Sequence, residues 1–318
     1  MALHDKQMRE VYAATLGELI DENPAVLCLE ADLAKATGTA LEIGVKRTAN
    51  FVNCGIQEAN MIGVAAGLAR EGKIPFCATF ACFAARRAYD QAFVSVGYAD
   101  MNVKIVGTDP GLTPESNGGT HMFFGDLGIM RVIPGMKVFS PCDVYELRSM
   151  LRYMAADHSP TYMQLYRGIA PKVFDEDYAF DPDKLVRLTS GDDLTLVSTG
   201  YMTPAALQAA RALAAEGLGV DLLHCPSVKP FDAATFLESA GRTRCVVTVE
   251  NGDVACGLGG LVCEICAERL PTPVTRLGIK DSFGEVGTIA DLLDKHGLTP
   301  EHITDACRTA AGRRNQEA

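Results

Sequence analysis

The sequence predicts an α/β protein of two consecutive domains, a larger one on a parallel sheet and a smaller one on a mixed or parallel sheet. Short apolar runs of strand length alternate with helix-like segments along the chain, which indicates right-handed crossovers and a sheet covered on both faces. The stretch 171–190 is rich in acids and proline and lacks this periodicity. We therefore predict domains at 1–170 and 191–318, with 171–190 as the linker.

The first domain shows this alternation most clearly. Its predicted strands are Val26–Leu29, Phe51–Asn53, Ile74–Phe80, Val103–Gly107, Met136–Pro141 and Thr161–Tyr166. Its predicted helices are Arg9–Ile20, Ala59–Leu68, Ala84–Gly97 and Val144–Ala156. Because ligands of parallel sheets gather at the carboxyl ends of the strands, residues that follow these strands are the first candidates for a site.

The second domain repeats the pattern on a smaller scale. Its predicted elements are the strands Leu194–Gly200, Val220–His224 and Val246–Glu250 and the helix Thr203–Glu216. The glycine-rich loop 251–260 lacks the lysine and the serine or threonine of a phosphate loop, so we expect it to let a helix approach a sheet or a neighbouring subunit. Cys263 and Cys266 lie on a predicted helix and are interpreted as packing residues, with zinc or redox use as the alternative.

Composition excludes several classes of function. The chain has 318 residues and a net charge of −11, which argues against nucleic acid or an anionic membrane as a partner. The amino terminus reads as a charged amphipathic helix rather than a signal peptide, so we expect a cytoplasmic protein. Eleven cysteines are scattered through apolar segments, as expected for buried thiols in a reducing compartment.

The stretch from Phe51 to Phe83 contains the most informative candidates. Glu58 begins a small-residue helix that is too apolar for a surface, so its carboxylate should be buried and either protonated or hydrogen-bonded to a partner that wants a proton. Phe80 ends an apolar strand, and Phe83 follows one helical turn later. A buried acid beside two aromatic rings suits a flat, protonatable heterocycle. The alternative is a core helix with one satisfied glutamate and two core phenylalanines.

Two segments carry a resemblance to a known family. Gly55–Met61 and Thr79–Phe83 resemble the pyrimidine-binding domain of thiamine diphosphate enzymes of the transketolase family. The segments after 191, including Cys225–Asp232, resemble the C-terminal domain of transketolases and deoxyxylulose-phosphate synthases. The resemblance implies that Glu58 hydrogen-bonds the aminopyrimidine ring nitrogen and promotes its imino tautomer. It also implies that Phe80 and Phe83 stack on that ring and that Asp32 contacts the cofactor.

The resemblance also implies the substrate contacts. His121 closes the loop 111–121 and matches the family histidine that hydrogen-bonds the donor's oxygens, work that suits a pKa near neutrality. Asn117 lies in the same loop, at a position where the family usually has an aspartate that meets a donor hydroxyl. Arg167, at a strand end, matches an arginine that grips the sugar phosphate, and Arg9 matches a second one. The alternatives are a linker salt bridge for Arg167 and an exposed helix charge for Arg9.

Other departures from the family pattern concern the residues that are expected to bind the phosphate. Asp109 stands where a histidine is often found, and Ala36, next to Lys35, stands where a phosphate-binding serine is expected. An acidic Asp109 would repel a phosphate, so the sequence predicts an unusual or branched ketose phosphate or an anion held elsewhere. Arg86 replaces a tyrosine that often lies near the pyrimidine.

The family's diphosphate and metal motif, Gly-Asp-Gly, is not found in this sequence. The resemblance therefore predicts the carboxyl-terminal subunit of a split transketolase. We expect a separate amino-terminal subunit to bind the diphosphate with Mg²⁺ or Ca²⁺, and thiamine diphosphate to lie at the interface. Family precedent predicts two copies of this chain packed together with two of that partner, with sugar phosphates as substrates.

The predicted reaction is transfer of a two-carbon ketol unit from a ketose phosphate to an aldose phosphate. Three alternatives stay open at the level of the sequence. The chain could resemble a deoxyxylulose-phosphate synthase, a 2-oxoacid dehydrogenase β subunit, or a non-catalytic structural partner. Products formed from pyruvate or from ketose phosphates distinguish the first two from a transketolase, and binding of the cofactor distinguishes the third.

Overall fold

The computed structural model describes residues 3–317, with side chains to residue 313, and two sheets organise them. The first sheet contains β1 (Val26–Glu30), β2 (Phe51–Asn53), β3 (Ile74–Phe80), β4 (Lys104–Thr108), β5 (Lys137–Phe139), β6 (Thr161–Leu165) and β10 (Ser227–Lys229). The second contains β7 (Val186–Thr189), β8 (Leu194–Ser198), β9 (Val220–His224), β11 (Val246–Asp253) and β12 (Val274–Ile279). The prediction of an α/β fold on two sheets is confirmed.

The order of the strands determines where a ligand site can lie. The first sheet runs β10-β5-β6-β4-β3-β1-β2, parallel except for β10, which pairs antiparallel with β5. The second runs β12-β11-β8-β9-β7, with β7 antiparallel to β9. The parallel strands of the first sheet therefore end at one common edge, where the loops after β6, β4, β3 and β1 become neighbours.

Helices cover both sheets. They are α1 (Met8–Glu22), α2 (Ala34–Thr37), α3 (Glu58–Arg70), α4 (Tyr89–Gln91), α5 (Asp126–Arg131), α6 (Val144–Ala156), α7 (Thr203–Ala215), α8 (Ala233–Thr243), α9 (Leu258–Arg269), α10 (Ile289–Lys295) and α11 (Pro300–Glu317). Within the described residues, no helix is long and apolar enough to cross a membrane.

Three local predictions differ from the structure. The predicted helix 84–97 is instead two π-helical segments, Phe83–Arg87 and Ala92–Tyr98, on either side of the short α4. Strand β11 continues into the predicted glycine loop as far as Asp253. Strand β7 falls inside the predicted 171–190 linker and pairs with the second sheet. The linker boundaries themselves stay a prediction.

A buried polar network joins the two units. Glu146 of α6 contacts His224 of β9, with Nε2 to Oε2 at 2.9 Å, and both side chains are fully buried. His224 Nδ1 lies 2.8 Å from Thr203 Oγ1, and Glu146 also accepts from the Tyr178 hydroxyl and the Cys142 amide. A buried charge is tolerated when it is paired and hydrogen-bonded in this way. The network therefore fixes the packing of α6 against the second sheet.

Candidate active site

The predicted site residues lie along the carboxyl edge of the first sheet. Phe80 is the last residue of β3. Asp32 follows β1, Asp109 follows β4 and Arg167 follows β6. Because β6, β4, β3 and β1 are consecutive neighbours in the sheet, these residues form one continuous row.

Glu58 is at the start of α3, and its carboxylate is buried with an exposed fraction of 1%. Both of its oxygens lie 2.9 Å from Nη1 of Arg87. The burial matches the expectation from sequence, but the partner is a cation rather than a group that wants a proton. The helix itself is less enclosed than expected, because Asn60, Gly63 and Gly67 on one face are exposed.

The aromatic rings and the histidine form one cluster. Phe80 and Phe83 stack with centroids 5.9 Å apart and planes inclined by 30°. The imidazole of His121 meets both rings edge-on, at centroid distances of 5.8 Å and 5.3 Å. His121 Nδ1 lies 2.9 Å from the Thr120 hydroxyl, which fixes the orientation of the ring. The structure thus brings together three residues that are up to 41 positions apart in sequence.

Arg87 is the site residue that sequence reasoning missed. Its guanidinium lies over the Phe83 ring, 4.2 Å from the centroid, while it binds Glu58. Arg86, which stands where the family often has a tyrosine near the pyrimidine, donates to the Thr120 carbonyl and lies 5.4 Å from the Phe123 centroid. Both arginines lie in the π-helical turn Phe83–Arg87, and Arg87 is the one whose side chain reaches α3. The signal available in the sequence was the Arg-Arg pair itself.

The two arginines predicted to hold the sugar anion lie together. The guanidinium of Arg167 is 5.0 Å from the Phe80 centroid and forms an ion pair with Asp109. Arg9 donates to the Ala36 carbonyl at 3.3 Å and to Gln7 Oε1 at 2.6 Å. Arg9 and Arg167 line a common cavity of about 220 Å³. Arg9 is half-buried, and the ion pair of Arg167 is with Asp109 after β4; the roles of both arginines stay predictions.

Asp32 lies at the other end of the row, exposed and in the left-handed region with φ of 63°. Its amide donates to Asn53 Oδ1 at 3.1 Å, and Asn53 Nδ2 lies 3.3 Å from its carboxylate. Asp32, Lys35 and Ala36 line a cavity of about 510 Å³ between the loop after β1 and the segment 40–53. A role in cofactor binding stays a prediction for Asp32.

The second sheet supports the loop that carries His121. Asn251 of β11 accepts from the Leu112 amide and donates to the Pro110 carbonyl, both at 3.0 Å. Gly111 has φ of +63°, and a Cβ there would lie 2.2 Å from the Asn251 carbonyl, so this position requires glycine. Asn117 lies on an exposed 3₁₀ turn farther along the loop. Sequence reasoning had no signal for Asn251, since 139 residues separate it from Leu112.

Potential metal-binding residues occur together at the junction of the units. Cys142, Glu146 and His224 are buried with ligand atoms within 4.8 Å of one another. Glu146 already accepts from Tyr178 and from the Cys142 amide there, so we interpret the cluster as a packing network. Cys263 and Cys266 are free thiols on α9, and Cys266 is buried.

Comparison with known proteins identifies the family. The family described as "Transketolase, pyrimidine binding domain" matches residues 4–172, and "Transketolase, C-terminal domain" matches residues 183–303. The chain therefore belongs to the transketolase family. That family implies thiamine diphosphate as the cofactor.

Individual relatives show which kinds of transketolase the chain is similar to. The 6-deoxy-6-sulfo-D-fructose transketolase subunit SqwH of Clostridium sp. (strain MSTE9) is 42% identical over 98% of this chain and 97% of the relative. A subunit of the apulose-4-phosphate transketolase of Phocaeicola vulgatus is 32% identical over 95% of this chain and 96% of the relative. A solved split-gene transketolase, an inactive β4 tetramer, superposes with a TM-score of 0.87 at 40% identity, covering 96% and 98% of the two chains. The chain is thus similar over its whole length to subunits of divided transketolases.

Proposed function

We propose that this chain is the subunit of a two-chain transketolase that binds the pyrimidine half of thiamine diphosphate. The proposed reaction moves a two-carbon ketol unit from a ketose with an anionic far end to an aldose acceptor. A separate subunit would hold the diphosphate and its Mg²⁺ or Ca²⁺. The full-length similarity to relatives named as transketolase subunits supports this division of the site.

One observation carries the proposal. The buried Glu58 carboxylate binds a flat, positively charged N–H donor, the Arg87 guanidinium, and that group lies on the Phe83 ring. An aminopyrimidine has the same features, a flat ring with nitrogen groups that exchange hydrogen bonds with a carboxylate. The residues therefore suit the ring. Since Arg87 occupies the oxygens of Glu58 here, we expect it to move aside when the ring is bound.

The proposed roles follow from position. Thiamine diphosphate, when bound, supplies the nucleophilic carbon that accepts the two-carbon unit. Glu58 would hold a proton at the pyrimidine nitrogen, and Phe80 and Phe83 would fix the plane of the ring. His121, in edge contact with both rings, would hydrogen-bond the oxygens of the donor sugar and move protons between them. Arg167 and Arg9 would hold the charged end of the sugar, and Asn117 a donor hydroxyl.

The proposed protein partners are a second type of subunit and a second copy of this chain. The solved relative is described as inactive in its β4 form, which supports a requirement for the second type of subunit. Apolar side chains are exposed on the segments around α3 and the π-helices, including Val52, Ile56, Phe93, Val94 and Tyr98. Several exposed apolar side chains on neighbouring segments favour burial against another chain. We propose that this surface contacts a second copy or the partner subunit.

The first experiment is reconstitution. The chain mixed with its amino-terminal partner should bind thiamine diphosphate by calorimetry in the presence of Mg²⁺, whereas the chain alone should bind it much more weakly. With an aldose acceptor present, the mixture should convert ketoses, and not pyruvate, into aldoses two carbons shorter while the acceptor gains two carbons. Products from pyruvate would favour the deoxyxylulose-phosphate synthase or dehydrogenase alternative. Failure of the mixture to bind the cofactor would favour the structural-partner alternative.

A further inference from the structure

We infer that the sugar site selects a ketose whose far end carries a singly charged anion of the sulfonate type, and that Asp109 sets this preference. The inference rests on the proposed ketol transfer and names the chemical class of its donor. It is carried by the charges of one cavity, here called the terminal-anion cavity, lined by Gln7, Arg9, Asp109, Thr113, Glu115, Tyr166, Arg167, Gly168 and Ile289.

The cations of this cavity come from two segments that are held side by side. Arg9 is in the first turn of α1, and Arg167 follows β6. The amide of Arg9 donates to the Arg167 carbonyl at 3.3 Å, and the amide of Met8 donates to the Gly168 carbonyl at 2.8 Å. Two guanidinium groups on one cavity of about 220 Å³ are suited to an anion with several acceptor oxygens.

Two carboxylates line the same cavity and offset both cations. Asp109 is 2% exposed and is paired with Arg167. Burial raises the pKa of Asp109 to about 6, against the opposing charges of Arg167 and Arg9, so the carboxylate is mostly ionised at neutral pH. Glu115 accepts from the Ile289 amide at 2.9 Å. The formal charges of the two arginines and the two acids therefore cancel.

Asp109 is fixed by its backbone as well as by its partner. Its φ of 50° lies in the left-handed region, which an aspartate tolerates better than most residues. Its amide donates to the Leu165 carbonyl at 2.9 Å. The carboxylate is thus held beside Arg167 in the lining of the cavity.

A phosphate and a sulfonate at the far end of a sugar differ in their charge. A phosphate monoester carries about 1.5 to 2 negative charges at pH 7, because its second pKa is about 6. A sulfonate carries one negative charge and offers three acceptor oxygens. A second negative charge next to a buried carboxylate is penalised by like-charge repulsion. The cavity therefore offers hydrogen-bond donors to the oxygens of a sulfonate at a smaller electrostatic penalty than a phosphate meets.

The test compares three ketose donors with the reconstituted two-subunit enzyme, each in the presence of the same aldose acceptor. These are fructose 6-phosphate, its 6-deoxy-6-sulfonate analogue and the uncharged erythrulose. We expect kcat/KM of the wild type to be at least about tenfold higher for the sulfonate than for the phosphate. Asp109→Asn should shift this ratio toward the phosphate by about tenfold. The control Asp305→Asn removes an exposed carboxylate from α11 and should leave the ratio unchanged.

The outcomes separate this inference from the proposed function. Turnover of erythrulose together with a wild-type preference for phosphate would overturn the inference alone, as would an unchanged ratio in Asp109→Asn. Loss of turnover for all three ketoses would reject ketol transfer, and the inference with it. If Asp109→Asn does not fold, calorimetry of the wild-type pair with ethanesulfonate and ethyl phosphate decides the question. Tighter binding of ethanesulfonate supports the inference, and the reverse order overturns it.

Discussion

The carboxyl edges of the two sheets use buried polar residues in different ways. At the first edge Glu58 pairs with Arg87, whose side chain is 48% exposed, and Asp109 pairs with Arg167, which is 25% exposed. At the second edge His224 of β9 pairs with Glu146, and both are fully buried. Glu58 and Asp109 thus each depend on a cation that solvent or a ligand can reach, whereas Glu146 and its partner are enclosed.

This difference in exposure distinguishes a ligand site at the first edge from a structural junction at the second, although both lie at the ends of parallel strands. A half-exposed arginine can exchange a carboxylate for a ligand at modest cost. The enclosed contact between Glu146 and His224 cannot be opened without leaving a buried carboxylate short of a partner. Changes at the first edge should therefore act mainly on activity, and changes at the second edge on stability.

The largest expected effect is on catalysis at the first edge. Glu58→Gln should lower ketol transfer by the reconstituted pair about 10²–10⁴-fold, because the pyrimidine nitrogen loses its acid. Turnover with a ketose donor measures this, and thermal unfolding should change little. Glu71→Gln, an exposed acid just after α3, is the matched control. Retention of wild-type turnover by Glu58→Gln would contradict the assignment.

Breaking the junction should produce the next largest effect, on stability. His224→Leu leaves the buried, ionised Glu146 without its imidazole partner and should lower the free energy of unfolding by about 3–5 kcal/mol. Burial tends to raise the pKa of Glu146, but His224 and the Cys142 amide bring it below its ordinary value, so the carboxylate is charged in the folded protein. Denaturant unfolding checks the prediction. His302→Leu removes an exposed histidine as a control, and equal losses for both variants would refute the argument.

A substitution at Arg87 tests whether the cofactor replaces this arginine as the partner of Glu58. Arg87→Met should lower the free energy of unfolding of the cofactor-free chain by about 1–3 kcal/mol, because the buried Glu58 loses its hydrogen-bond donor. Cofactor bound to the reconstituted pair should reduce this difference, since it would supply a new donor. Arg86→Met is the adjacent control and should cost less, as Arg86 binds backbone carbonyls. A loss that the cofactor does not reduce would argue against exchange at Glu58.

The last expected effect appears only as a dependence of stability on pH and concerns a buried acid of the first sheet that has no cation. Glu30 accepts from the hydroxyls of Thr37 and Thr39 at 2.6 Å and 2.7 Å. Burial raises its pKa from 4.5 to about 7. The folded state then binds more protons than the unfolded state between these values, so the free energy of unfolding should fall as pH rises from 4.5 to about 7.

Glu30→Gln should flatten this pH dependence by about 1–3 kcal/mol. The amide keeps the hydroxyl contacts and cannot ionise. Unfolding free energies measured at several pH values between 4.5 and 8 give the slope for each variant. Glu22→Gln, on the exposed end of α1, serves as the control. The same slope in wild type and Glu30→Gln would exclude Glu30 as its source.

Sequence reasoning located much of the fold because its signals are local. The apolar run at β3 and the alternation of strand and helix reflect the burial of each element on a parallel sheet. The pairing of β10 with β5 was missed because three residues near Pro226 give no signal of a partner about 90 positions earlier. The helix 84–97 was simplified to a regular one, since a π-turn leaves no periodicity that a short segment can show.

The sequence by itself determined the strand ends and therefore the row that holds Phe80, Asp109 and Arg167. It also determined, through the motif around Glu58, the family to which the chain belongs. Only the tertiary structure decided which arginine reaches Glu58, what pairs with Asp109 and how Asn251 holds the loop of His121. Contacts of this kind join residues that are distant in sequence. Their free energies depend on burial and on the exact geometry of packing, and a local sequence pattern contains neither.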